Sequence, residues 1–169
     1  MKFERVWAMP SSATFTIKPI ADLLRRLVLD NAVWVDPFAG FNSPAQVTND
    51  LNPDSPAMCH EDALSFLRGF GDGSVDGVLF DPPYSVRQLS ECYKRFGLAV
   101  TQETTRPNFW TDIKHEIARI VRQRGTCISF GWNSGGVGKV LGFDLVEILL
   151  VPHGGIHNDT IVTVETKAR

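Results

Sequence analysis

The residues best placed for chemistry are Asp81-Pro82-Pro83-Tyr84, which directly follow the apolar run Val78-Leu79-Phe80. Neither proline has a backbone N–H and each pre-sets its own φ, so the chain leaves the apolar run in one stiff conformation. Asp76-Gly77 is a turn signal, and residues 77–80 are predicted to form a buried parallel strand. In an open α/β sheet the crevice beyond the carboxyl ends of the strands is where ligands bind. A carboxylate there can accept one hydrogen bond from a neutral exocyclic amine, and a carbonyl of the prolyl turn can accept the second. The amine lone pair is then aimed at an electrophile, while the Tyr84 ring stacks on the plane that carries the amine.

A second strand-to-loop unit precedes this one. Val33-Trp34-Val35 is a short apolar strand, and Asp36-Pro37-Phe38-Ala39-Gly40 follows it at once. Gly40 lets the backbone approach a ligand closely. Val47–Leu51 is the next predicted strand. Rossmann-like folds use an acid at the end of that strand to bind ribose hydroxyls, which selects Asp50, with Asp54 as the competitor.

Asp-Pro-Pro-Tyr after a hydrophobic strand resembles the catalytic signature of the amino-methyltransferases, which methylate adenine N6 or, less often with this spelling, cytosine N4. Asp36–Gly40 is similar to that family's cofactor loop, although Phe41-Asn42-Ser43-Pro44 departs where a second glycine is usual. Cofactor elements precede the Asp-Pro-Pro-Tyr, as in gamma-type DNA adenine enzymes. The resemblance implies S-adenosyl-L-methionine as cofactor and no metal. Asp36, with Pro37, Phe38, Ala39 and Gly40, would meet its methionine end, Asp50 its ribose, and Asp62 with Ala63 its adenine. Phe15–Ile20, carrying Thr16 and Lys18, resembles the segment that closes over that methionine end; its bland reading is a helix start. Asp81, Pro82, Pro83 and Tyr84 would be catalytic. Trp132 would be a wall of the base pocket or else a core aromatic, and Asn158 or His157 would face the target.

The implied fold is α/β: a Rossmann-like class-I methyltransferase fold, with a mostly parallel seven-stranded sheet and a C-terminal antiparallel hairpin. The elements that must position these residues are legible as periodicity. Ile20, Leu23, Leu24, Leu27 and Val28 mark a helix from about Lys18-Pro19 to Asp30, with Thr16 as its expected cap. Met58-Cys59-His60 is an expected third strand, and Asp62 an expected cap for a helix over Ala63–Phe70. Ile113, Ile117, Ile120 and Val121 mark a helix from Phe109-Trp110 to about Arg124. Its cations, Lys114, Arg119, Arg122 and Arg124, are explained by a solvated face and by the helix dipole. Thr126–Phe130, Leu145–Val151 and Thr160–Glu165 complete the expected strands.

The chain has 169 residues, 43% hydrophobic and 21% charged, which fits one domain over 1–169. Its three cysteines, Cys59, Cys92 and Cys127, are scattered and give no disulfide or zinc framework. No signal peptide or long apolar run is present, so no membrane association and a cytoplasmic location are expected. A net charge of −2 is unusual for a protein that grips duplex nucleic acid unaided. Residues 85–107 set four basic residues, among them Arg87, Lys94 and Arg95, against two acids, with Tyr93 and Phe96 between them. They form the candidate target-recognition loop. Gamma-type enzymes carry a large recognition domain that is lacking here, and small chains of this kind resemble phage or mobile-element enzymes. A homodimer or a partner subunit would make up the difference. The substrate implied is DNA. RNA is the alternative, as is a non-catalytic subunit that scaffolds an active partner.

Overall fold

Alternation along one central strand sets the layers. In the computed structural model, which describes residues 1–83, 109–155 and 157–168, β4 spans Val75–Phe80. Val78 and Phe80 enter the core on one side of the sheet and Leu79 the core on the other. A strand buried on both faces needs this near-continuous apolar run. The first core takes Ala63, Phe66 and Leu67 from α2 (Ala63–Arg68) and Phe109, Ile113, Ile117 and Ile120 from α3 (Phe109–Ile120). The second takes Ile20, Leu23 and Leu24 from α1 (Lys18–Leu27), the i, i+3, i+4 stripe read from the sequence.

The remaining strands are β1 (Lys2–Arg5), β2 (Trp34–Asp36), β3 (Val47–Thr48), β5 (Val121–Gly131), β6 (Phe143–Val151) and β7 (Thr160–Lys167). Among the described residues they form one sheet in the order β1-β6-β7-β5-β4-β2-β3. The pairs β2–β3, β2–β4, β4–β5 and β1–β6 are parallel, and β7 is antiparallel to both β5 and β6. The mostly parallel sheet and its C-terminal hairpin are those expected.

Several elements differ in detail. Lys2–Arg5, in a stretch with no periodicity, is an edge strand, fixed to the sheet by an ionic knot. Glu147 of β6, 6% exposed, accepts from Lys2 Nζ (2.9 Å) and from Arg26 of α1 (2.8 Å). Burial works to raise its pKa, but the two cations outweigh that and hold it below the usual carboxylate range. Met58–His60 contributes only a single bridge, Asn49 to Cys59, so the seventh strand is β1. Thr16 does not cap α1: its hydroxyl donates to the Ala13 carbonyl (2.8 Å), and Pro19 in the first turn starts the helix. The helices α1 and α2 end at Leu27 and Arg68, short of Asp30 and Phe70.

The helix α3 ends at Ile120 rather than Arg124, because Val121 already pairs with Val75 in the sheet. Its last carbonyls are met from another element. Lys167 Nζ of β7 donates to the carbonyls of Ala118 (2.6 Å) and Val121 (2.7 Å), a cation at the negative end of the helix dipole.

Asp76-Gly77 is strand, not turn. Asp76 accepts from Val33 N (2.7 Å) and Arg122 Nε (2.6 Å), which together hold its carboxyl below the usual range. Gly77 is required by close approach: a Cβ there would lie 2.5 Å from Cζ3 of Trp34. Gly77→Ala is expected to destabilise the fold by about 1–3 kcal/mol through overpacking. A urea midpoint equal to that of the parent protein would contradict this account of Trp34.

Candidate active site

The strand β2 delivers Asp36 to the sheet edge, where the carboxylate is fully buried. Its Oδ1 accepts from Phe38 N (2.9 Å) and its Oδ2 from the Ser43 hydroxyl (2.6 Å). The loop departure at Phe41–Pro44 thus has a use, since Ser43 supplies a donor to Asp36. Gly40 takes a positive φ of 54°. Its N–H donates to Asp50 Oδ2 (2.8 Å), while Asp50 Oδ1 accepts from Asn52 N (2.8 Å). Asp50 therefore shapes the Asp36–Gly40 loop, whatever else it binds with its remaining lone pairs.

Asn49, 1% exposed, ties the segments together. Its amide donates to the carbonyls of Pro37 (3.2 Å) and Glu61 (3.0 Å), and its oxygen accepts from Glu61 N (3.0 Å). Glu61 leads into Asp62, whose Oδ1 caps α2 by accepting from Leu64 N and Ser65 N (both 3.0 Å), as the sequence predicts. Ala63 beside it is buried.

Burial pushes the Asp36 carboxyl up to about 7. The bonds from Ser43 and Phe38 work against the rise, and the charges of Asp81 and Asp50 add to it. The carboxyl ends of β2, β3 and β4 therefore gather three acids around one edge. Among the described residues, Asp36 has no cationic partner. A cation placed at this edge would lower that pKa.

At the end of β4, Asp81, Pro82 and Pro83 are half-buried. A cleft of about 240 Å³ opens beside them. Phe80, Pro82 and Pro83 line one side, and Ser129 to Asn133 with Gly136 the other. Trp110 and Lys114 of α3 complete the lining. Trp132, 48% exposed, is a wall of this cleft and not a core aromatic.

The far wall is held by Glu165 of β7, 3% exposed. Its carboxylate accepts from Val137 N (2.6 Å) and Gly138 N (3.0 Å). A side chain at Gly136 would collide with it. Burial raises its pKa against those two bonds and the charge of Lys114.

Other expected site residues lie elsewhere. Lys18 starts α1 and pairs with Asp22 (2.7 Å), on a groove shared with β1. Thr16 lies in a short 3-10 turn whose Phe15 packs on Phe130, ring centroids 5.1 Å apart. Asn158 is exposed on the β6–β7 connection. His153, at the start of that connection, is spent on structure, bonding to the Ala8 carbonyl and the Thr160 hydroxyl (both 2.9 Å). Tyr84, Arg87, Lys94 and Arg95 lie outside the described residues. Among those described, no group of acids, histidines and cysteines could hold a metal ion, and no helix is long and apolar enough to cross a membrane.

No family model and no curated protein matches the chain. Solved structures do match. The Burkholderia thailandensis 1,6-didemethyltoxoflavin-N1-methyltransferase, solved with 1,6-didemethyltoxoflavin and S-adenosylhomocysteine, aligns over 90% of this chain and 78% of its own, with a TM-score of 0.61 at 14% identity. TrmN from Thermus thermophilus aligns over 90% of this chain with a TM-score of 0.56 at 18% identity. This chain spans about half (49%) of that protein. A Haloferax volcanii methyltransferase, solved with its activator protein, gives a TM-score of 0.56 at 11% identity, over 93% of this chain and 90% of its own. The chain has the class-I methyltransferase fold. At these identities the likeness shows the fold alone.

Within that fold the Asp36 carboxyl makes a measurable prediction. Below about pH 4 it is largely protonated folded and unfolded, so its titration contributes nothing to the pH dependence. Between about pH 4 and 7 the unfolded chain releases the proton and the folded one keeps it, so stability falls as pH rises. In the ligand-free protein, Asp36→Asn should flatten that fall by an amount on the order of a few kcal/mol. Parallel stability-versus-pH curves for the two proteins would contradict the buried, unpaired acid.

Proposed function

We propose that this protein transfers a methyl group from S-adenosyl-L-methionine to the exocyclic N6 amine of adenine in DNA, on a base extruded into the cleft beside Asp81. The observation that carries the reading is the pairing of two strand ends. The strand β4 runs out through Asp81 to Pro82 and Pro83, which line the cleft, and the neighbouring β2 ends in the buried Asp36. Electrophile and amine sites would then share one edge. The fold and the acid edge both suit this cofactor. Asp36 is a buried carboxyl that a ligand ammonium would ionise, Asp50 holds Gly40 N, and Asp62 stands at the head of α2.

When bound, the cofactor supplies an electrophilic methyl on a sulfonium. The chain's own residues do the rest by positioning. Asp81 accepts one hydrogen bond from the amine and a carbonyl of the prolyl turn accepts the other, which leaves the lone pair directed at the methyl. Pro82 and Pro83 keep those acceptors fixed, since neither can rotate about φ. Pro83, Trp110 and Trp132 give apolar surfaces for a planar ring and keep water from it. The new N–C bond would replace the methyl's bond to sulfur, whose electron pair stays on the sulfur, and the proton the amine then loses already lies on the hydrogen bond to Asp81.

A second reading is favoured by the net charge of −2, which supplies little of the field that duplex binding needs. A second copy of this chain or a separate subunit would then bring the substrate, as DNA or as RNA. The Haloferax neighbour, solved with its activator, offers a precedent at the level of fold.

Asp81→Ala is expected to lower methyl transfer about 10²-fold or more while cofactor binding is largely kept. Transfer would be followed with labelled cofactor and binding by calorimetry. Loss of binding with no selective loss of transfer would refute the role given to Asp81.

A further inference from the structure

Lys114 has no structural partner among the described residues. It is half-buried in α3, one helical turn after Trp110, and lines the cleft beside Pro82, Pro83 and Trp132. Other lysines have visible employment: Lys2 pairs with Glu147, Lys18 with Asp22, and Lys167 with two carbonyls. Lys114 makes no hydrogen bond and no ion pair within the described structure. Two groups facing it feel its charge, Cys127 and Glu165, but neither hydrogen-bonds to it. Burial pushes the Cys127 thiol up to about 12, so it stays neutral. Both Glu165 oxygens are engaged by Val137 N and Gly138 N.

An ammonium that reaches an open cleft without a hydrogen-bond partner among the described residues is available to an anion that a ligand brings. The rest of the cleft specifies what carries that anion. Trp110, Trp132 and the two prolines offer flat apolar surface, whereas Ser129 and Asn133 offer hydrogen bonds. A planar heterocycle with an attached anionic group fits that lining. Among biological anions a phosphate suits a lysine well, because the ammonium acts as a point charge that needs no fixed fork geometry.

We infer that Lys114 contacts a backbone phosphate next to the extruded base, so that the cleft takes a nucleotide within a strand rather than a free base or nucleoside. This rests on the adenine reading above.

The test uses the full chain and an adenine-containing single-stranded DNA oligonucleotide, with S-adenosylhomocysteine present. Affinity is measured against salt for the parent protein, Lys114→Met and Lys114→Arg. Lys114→Met should weaken binding and make the slope of log affinity against log salt shallower by about one, and Lys114→Arg should restore most of both. Neutral methylphosphonates flanking each adenine should weaken the parent protein at one linkage and cause no further loss in Lys114→Met. Equal thermal midpoints for the three proteins would show that the changes are not loss of fold. An unchanged slope in Lys114→Met, with the parent protein binding the strand, would overturn the phosphate contact and leave the adenine reading standing. If the parent protein with S-adenosylhomocysteine bound no nucleic acid, the adenine reading would fail and the phosphate contact with it. Capture of an acidic peptide instead, lost in Lys114→Met, would also overturn it by making a carboxylate the ligand.

Discussion

A carboxylate buried at the end of a central strand, with no cation beside it among the described residues, is the constraint on which this structure turns. Asp36 is tolerated because Phe38 N and the Ser43 hydroxyl donate to it, but two hydrogen bonds do not cancel the loss of water or the charges of Asp50 and Asp81. The pull of the ligand-free fold is therefore toward the protonated form.

The geometry around that acid is a consequence of sheet order. With β2 between β3 and β4, the exits of three parallel strands face one crevice, and each carries an aspartate. Long-range polar ties then fix what the strands deliver. Asn49 joins the β2 loop to the head of α2, and Glu165 pins the loop behind Trp132. Lys167 closes α3, the helix that carries Trp110 and Lys114 into the cleft. Each tie reaches from one sequence segment into another.

Much of the fold was legible because its signals are local. The β4 run with its prolines, the stripe of α1, the Asp62 cap and the C-terminal hairpin each declare themselves within a few residues. What was illegible depended on distant partners. Lys2–Arg5 has no strand periodicity, and it is a strand because Glu147 of β6, which also holds Arg26 of α1, pairs with Lys2. Asp76-Gly77 carries a turn's composition, yet the glycine serves the Trp34 ring and the aspartate serves Val33 and Arg122. Lys114 reads as one more surface cation on a helix. The one sequence signal that could have singled it out is its i+4 spacing from Trp110, next to the apolar stripe rather than opposite it.

The central claim is methyl transfer to adenine in nucleic acid. It is tested most directly by incubating the protein with labelled S-adenosyl-L-methionine and unmethylated duplex DNA, single-stranded DNA or total RNA, then identifying the methylated nucleoside by mass spectrometry. The account predicts N6-methyladenine in DNA. Label confined to RNA would move the substrate, and no label on any nucleic acid, with the cofactor bound, would contradict the claim for this chain acting alone.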